Sequence, residues 1–192
     1  QSGEMFVTAR ADGEVCRISR DEEVVPYASE LGIPTGIAFD SEGEMFVGDR
    51  SGTIFKVTSF GNAESFGVLE PSVSAYHMAF GADDRLYVTA PGLCSFDSIH
   101  VIEKNGKTGE FFRGLGRPQG LAFDTAGNLY VAACLAGRHG IVKIAPDASK
   151  AEIFAAGMNV VGLCFNRGGD LIVATNESIY SLSLGIKGTI FD

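Results

Sequence analysis

Tryptophan is absent from the 192-residue chain, histidine occurs three times, and the four cysteines, Cys16, Cys94, Cys134 and Cys164, stand far apart. No C-x-x-C pair exists, so zinc-ribbon and thioredoxin-like spacings are excluded, and the cysteines read as free, mostly buried thiols. Long apolar runs are also missing; nothing approaches the roughly 18–20 residues that a bilayer-spanning helix needs. Basic residues are scarce, 15 Lys and Arg against 24 Asp and Glu, for a net charge of −9. The few that occur are scattered rather than striped, which argues against nucleic acid as a partner. No segment carries a helical period. Gly114-Leu115-Gly116 precedes a strand pattern rather than a helix, so no phosphate-binding loop is implied. No basic, apolar, small-residue leader opens the chain, but Gln1 falls inside a strand pattern, so localisation stays open between cytoplasmic and exported with a leader removed. A hydrophobic fraction of 45% with 20% charged residues excludes a disordered protein.

What the chain has in abundance is one phrase, written five times. Its fullest copies are Pro34-Thr35-Gly36-Ile37-Ala38-Phe39-Asp40 followed by Gly43-Glu44-Met45-Phe46-Val47, and Pro118-Gln119-Gly120-Leu121-Ala122-Phe123-Asp124 followed by Gly127-Asn128-Leu129-Tyr130-Val131. Phe39, Phe80, Phe123 and Phe165 mark one phase at spacings of 41, 43 and 42 residues. Phe6, Phe46, Tyr87, Tyr130 and Ile172 mark a second at 40, 41, 43 and 42. Short strands repeating every ~40–50 residues are the signature of a β-propeller, one blade per repeat. The absence of Trp-Asp weighs against the WD type. The expected fold is therefore all-β, a propeller of about five four-stranded blades over residues 1–31, 32–70, 71–115, 116–158 and 159–192, in one domain.

Each repeat decodes into four strands. A Gly-Ile-Ala-Phe type run, expected to be buried on both faces, comes first. A turn opened by Asp or Asn and closed by glycine follows, as in Asp40 to Gly43, because the side chain caps nearby amides and glycine accepts positive φ. The second strand is of the Met45-Phe46-Val47 type, and the third alternates with a basic residue, as in Ile54-Phe55-Lys56-Val57. The fourth is irregular; Pro26 within it suits an outer edge. The first repeat begins at its second strand. Joining Asp192 to Gln1 gives GTIFDQSGEMFV, which matches GIAFDSEGEMFV at Gly36 to Val47 in register. Gly188 to Asp192 therefore either fills the vacant inner position of the first blade and closes the ring, or forms the fourth strand of the last blade.

These residues resemble the NHL-repeat propellers and the neighbouring senescence-marker-protein/gluconolactonase family. The resemblance covers essentially the whole chain. It implies a ring more often of six blades and about 280–300 residues, at ~42–45 residues per blade, of which this chain would be a portion. It also implies a divalent metal, such as calcium, held in the central cavity by an Asp or Asn between the Pro and Gly of certain blades together with an N-terminal Glu. Such a metal would polarise a lactone carbonyl. Here the matching positions are Thr35, Tyr76, Gln119 and Val161, and His77 replaces a glycine. None is a carboxylate, so the expectation is no metal and no cofactor.

In a propeller, loops entering the first strand and leaving the second share one face, around the tunnel mouth. Thr35, Tyr76, His77 and Gln119 belong to one set of loops, and Arg10, Asp49, Arg50, Cys134 and Asn176 to the other. Of these, Thr35, Asp49, Arg50, Tyr76, His77, Gln119, Cys134 and Asn176 form the candidate ligand site. Asp49-Arg50 reads either as a loop anchor or ion pair or as an acid–base pair. Two longer loops could bring Cys94, Asp97, Cys134 and His139 together as ligands or as a nucleophile and base. The expected function is binding of a small molecule or a protein segment at the tunnel mouth, without catalysis, nucleic acid or membrane. The alternative is a lactonase-like hydrolase whose metal ligands have departed from the family pattern.

Overall fold

The computed structural model describes residues 4–93 and 95–191; Gln1, Cys94 and Asp192 lie outside them, together with what was expected of them. Eighteen strands in strictly antiparallel pairs account for the architecture, with no helix among the described residues. The first unit holds β1 (Met5–Ala9), β2 (Glu14–Ile18) and β3 (Val24–Ala28). The second holds β4 (Pro34–Phe39), β5 (Met45–Asp49), β6 (Thr53–Val57) and β7 (Ala63–Val68). The third holds β8 (His77–Phe80), β9 (Leu86–Thr89), β10 (Asp97–Ile102) and β11 (Thr108–Gly116). The fourth holds β12 (Leu121–Phe123), β13 (Leu129–Leu135), β14 (Arg138–Ile144) and β15 (Ala151–Ala156). The last holds β16 (Val160–Phe165), β17 (Asp170–Thr175) and β18 (Ile179–Ser183).

Within each unit the strands meander in chain order. The third and fourth are additionally fused, because the long β11 pairs at its end with β13 through Leu115 opposite Leu135 and Gly116 opposite Cys134. The inner strands β4, β8, β12 and β16 pack one against the next about a common centre. These inner strands, expected to be buried on both faces, are not: β4 and β16 are half-exposed over much of their length, whereas the second strands β5 and β9 are buried throughout. The reason is geometric, since an inner strand has the channel on one side.

The two aromatic phases now have a cause. The second-strand ring of each unit meets the inner-strand phenylalanine of the next: Phe6 with Phe39 at 5.8 Å, Phe46 with Phe80 at 5.0 Å, Tyr87 with Phe123 at 4.7 Å and Tyr130 with Phe165 at 5.4 Å between centroids. A ring on the last strand of each of the first four units packs on the same second-strand ring, Tyr27, Phe66, Phe111 and Phe154 in turn, at 4.9–5.0 Å. Tilted and edge-on pairs of this kind contribute about 0.5–1.5 kcal/mol each beyond the apolar area they bury. The basic residue of the third strand belongs to the same design. Lys56 and Lys143 lie opposite Phe46 and Tyr130 in register and place their ammonium groups 5.7 and 5.6 Å from those rings.

Turn chemistry follows the sequence. Asp40 Oδ1 accepts the amides of Glu42 and Glu44, Asp124 Oδ1 those of Ala126 and Asn128, and Asn166 Oδ1 that of Asp170. In the third unit, Asp84 takes the left-handed position (φ 59°) that Gly43, Gly127 and Gly169 hold in the second, fourth and fifth.

The C-terminal segment follows neither expected course. It does not pair with β1, nor does it form a fourth strand beside β18. It crosses under the inner strands instead. Gly188 bridges Asp124, Thr125 N–H donates to the Lys187 carbonyl (2.8 Å), and Thr189 N–H donates to the Phe123 carbonyl (2.9 Å). Phe191 then packs against the Ala38, Phe46 and Phe80 cluster, near Phe6 but without strand pairing to it. Only glycine serves at the crossing, because a Cβ on Gly188 would lie 2.1 Å from the Phe165 Cβ.

Candidate ligand site

Two cavities open on the face opposite this tail. The first, of 280 Å³, lies among the four inner strands and is the central channel; Thr35, His77, Met78, Leu121 and Leu163 are among its lining residues. The second, of 390 Å³, sits between the fourth and fifth units, lined by residues that include Arg117, Gln119, His139, Asn159 and Asn176. The tight bore of the channel is set by the glycine of the repeated phrase. A Cβ on Gly120 would stand 2.6 Å from the Gly162 Cα, and one on Gly36 2.6 Å from the Tyr76 carbonyl oxygen. Neighbouring inner strands therefore touch backbone to backbone at these seams, and Gly120 N–H donates to the Val161 carbonyl (3.0 Å). His77 stands in the glycine position of the third unit. There the next unit is held from the side: Thr89 Oγ1 donates to the Gln119 carbonyl (2.9 Å). Burial lowers the His77 imidazole below its ordinary value, so at neutral pH the channel carries a neutral ring.

The residues expected to form one ring of ligands divide into three groups. Several are occupied in holding the scaffold. Asp49 is buried, and its Oδ1 accepts the amides of Ile33 (2.8 Å) and Ser51 (3.0 Å), so it is a loop anchor rather than half of an acid–base pair. Arg50 Nε donates to the Ser72 carbonyl (3.2 Å). The Thr35 hydroxyl accepts from Tyr76 N–H (3.1 Å) and donates to the Gly48 carbonyl (3.3 Å), tying the second unit to the third. Tyr76 is fully buried with its hydroxyl on the Glu70 carbonyl; burial, then the charges of Asp49 and Glu70, push its phenol up to about 12. His77 lines the channel beside Thr35 and Tyr76. Gln119 and Asn176 form the third group and meet in the cavity between the fourth and fifth units.

Cys134 and His139 do come together, as directly opposed residues of β13 and β14. The thiol, however, lies against Gly116, at 3.8 Å from where that residue's Cβ would be, and Cys134 does not line the cavity that His139 helps form. Asp97 is buried and accepts the amides of Gly92 (3.0 Å) and Arg117 (3.3 Å), which makes it a second loop anchor. The expected thiol–imidazole–carboxylate cluster is therefore not assembled from Asp97, Cys134 and His139. Of the described cysteines, all free, only Cys16 is buried; Cys134 is half-buried and Cys164 exposed, against the expectation of mostly buried thiols. Arg10 is exposed on its loop.

No protein-family model matches the chain, and no curated protein sequence does. Solved structures do. A gluconolactonase from Xanthomonas campestris superposes with a TM-score of 0.79 at 17% identity, over 98% of this chain and 72% of that one. Regucalcin, a calcium-binding protein from Agrobacterium tumefaciens, gives 0.75 at 16%, over 98% and 70%. A chain of the nidogen/laminin complex gives 0.76 at 20%, over 94% and 73%. The fold is a gluconolactonase-like β-propeller.

A gluconolactonase-like propeller raises the question of a central metal, and the donors here do not fit one. No group of three or more His, Cys, Asp or Glu side chains converges among the described residues. Of the four family-matched positions, Thr35 and Tyr76 spend their side-chain oxygens on the scaffold and Val161 has none. A hard dication needs about six to eight oxygens, carboxylates among them, and this channel does not offer that set.

Sequence reasoning missed Arg117 and Asn159. Both take left-handed backbone, φ 45° and 59°, on the rim of one cavity. A residue before proline is steered toward extended backbone, so nothing in Gly116-Arg117-Pro118 announces this conformation. The Asp97 carboxylate that accepts the Arg117 amide comes from another loop.

Proposed function

We propose that the five strand units are blades of one propeller domain, and that it binds a small molecule on the channel-mouth face without metal and without catalysis of its own. The observation that carries this reading is the 390 Å³ cavity between the fourth and fifth units, where Gln119 and Asn176 meet Arg117, His139 and Asn159. A concave site with a few convergent polar groups is the usual form of a small-molecule site. The seams on either side of the fourth unit are packed by aromatic pairs, which stiffens the frame beneath the cavity.

A lactonase-like hydrolase is the second reading, supported by the likeness to gluconolactonase and opposed by the missing carboxylates. A protein segment as ligand draws support from the exposed Leu93 and Phe96 on the loop before β10. Titration calorimetry with neutral polyols, sugar acids and lactones, on protein stripped of metal by a chelator, tests the main reading. Saturable binding weakened by Gln119→Ala and Asn176→Ala supports it. Binding only after a divalent cation is added, with lactone consumed, transfers the case to the hydrolase.

A further inference from the structure

The cavity between the fourth and fifth units differs in charge from the molecule that carries it. The chain holds a net charge of −9, yet no Asp or Glu is among the residues that line this cavity, while Arg117 and His139 are. We propose that the site selects a small oxyanion, a carboxylate or a phosphate monoester, with Arg117 as its charge partner. The inference rests on the small-molecule reading above and narrows its ligand class.

Three independent features lead there. The Arg117 guanidinium makes no ion pair among the described residues; Arg10, Arg50 and Arg138 make none either, but of these four only Arg117 lines the cavity. An arginine that meets no carboxylate can offer its guanidinium to an incoming anion, and its planar fork suits carboxylate and phosphate oxygens. Secondly, the backbone at Arg117 is costly. A non-glycine residue in left-handed conformation directly before proline persists only when its surroundings hold it. The hold is visible: buried Asp97 accepts the Arg117 amide through one oxygen and the Gly92 amide through the other. That same arrangement engages the Asp97 carboxylate with backbone donors, and Asp97 does not line the cavity. Thirdly, the remaining polar lining consists of donors or donor–acceptors. The amides of Gln119, Asn159 and Asn176 and the His139 imidazole can each donate to oxygen, and none brings a negative charge.

The test is calorimetry on the intact protein at low salt with three probes: gluconate, glucose 6-phosphate and the neutral polyol sorbitol. The expected result is saturable binding of gluconate, glucose 6-phosphate or both, at least about tenfold tighter than sorbitol, a difference of ~1.4 kcal/mol. Arg117→Gln should remove that preference, Arg117→Lys should restore part of it, and Arg138→Gln, changed outside the cavity lining, should leave it intact. Which probe wins distinguishes a carboxylate from a phosphate source. Sorbitol binding as tightly as the anions, unaffected by Arg117→Gln, would overturn the anion proposal while sparing the small-molecule reading. Anion binding equally weakened by Arg138→Gln would also overturn it, as diffuse surface attraction. No saturation by any probe at up to about 10 mM, weaker than ~3 kcal/mol of binding, would overturn both.

Discussion

Tyr76 shows how a residue at the position of a ligand becomes part of the frame. Its ring is fully buried, its hydroxyl caps the Glu70 carbonyl, and its phenol is pushed up to about 12. A phenol whose folded value exceeds its unfolded one, ordinarily about 10, contributes stability that is complete below pH 10 and lost as pH rises toward 12. Tyr87 and Tyr130 are shifted in the same direction, by burial first, so they add to it. The urea midpoint should therefore hold steady to about pH 9 and fall steeply between 10 and 12. A flat profile through pH 12 would contradict this burial. The phenylalanine phase allows a sharper comparison. Phe123 is buried, whereas Phe39, its repeat counterpart, is 38% exposed. Phe123→Ala should cost ~3–5 kcal/mol, and Phe39→Ala clearly less, about 1–2 kcal/mol from its smaller buried area. Equal losses in denaturant titrations would show that the repeat buries both alike.

At the level of elements, the strands and their turns were legible because each is dictated locally. Alternation, a capping Asp or Asn and a glycine at positive φ fixed the second and third strands and the turn between the first and second. The course of Gly188 to Phe191 was not legible. Its likeness to Gly36–Asp40 is real, but the segment finds its partners in Asp124, Thr125 and Phe123 of another unit. A sequence pattern cannot distinguish an inner strand from a strap that borrows the same apolar residues. The Gly188 crossing makes the strap testable: with Phe165 directly beneath it, Gly188→Val should force the tail away and lower stability by about 1–3 kcal/mol, as overpacking does. Removing residues 186–192 should be at least as damaging in thermal melts. An unchanged melt for both variants would mean that the strap contributes nothing.

For the whole molecule, the aromatic seams explain why the fold could be read from two spacings, and why the site could not. Seams are built from repeat-equivalent residues such as Tyr87 and Phe123, which periodicity reveals. The proposed ligand cavity is lined by what departs from the repeat: Arg117 with left-handed backbone, His139 at the start of β14, and Asn159 and Asn176 on turns. Gln119 and Asn176 sit at matched loop positions and line the proposed cavity; Thr35, Asp49 and Tyr76 sit at equivalent ones and hydrogen-bond within the scaffold. Position in a ring cannot tell these roles apart, because the difference lies in which backbone groups happen to need a partner.

The central claim is that this propeller binds its ligand without a metal, in the cavity between the fourth and fifth units. The direct measurement is a crystal structure of chelator-treated protein soaked with a small ligand that calorimetry has shown to bind. The account predicts density for the ligand against Arg117, Gln119 and Asn176, with the inner-strand channel free of any coordinated ion. A dication in that channel, held by protein oxygens and touching the ligand, would contradict it.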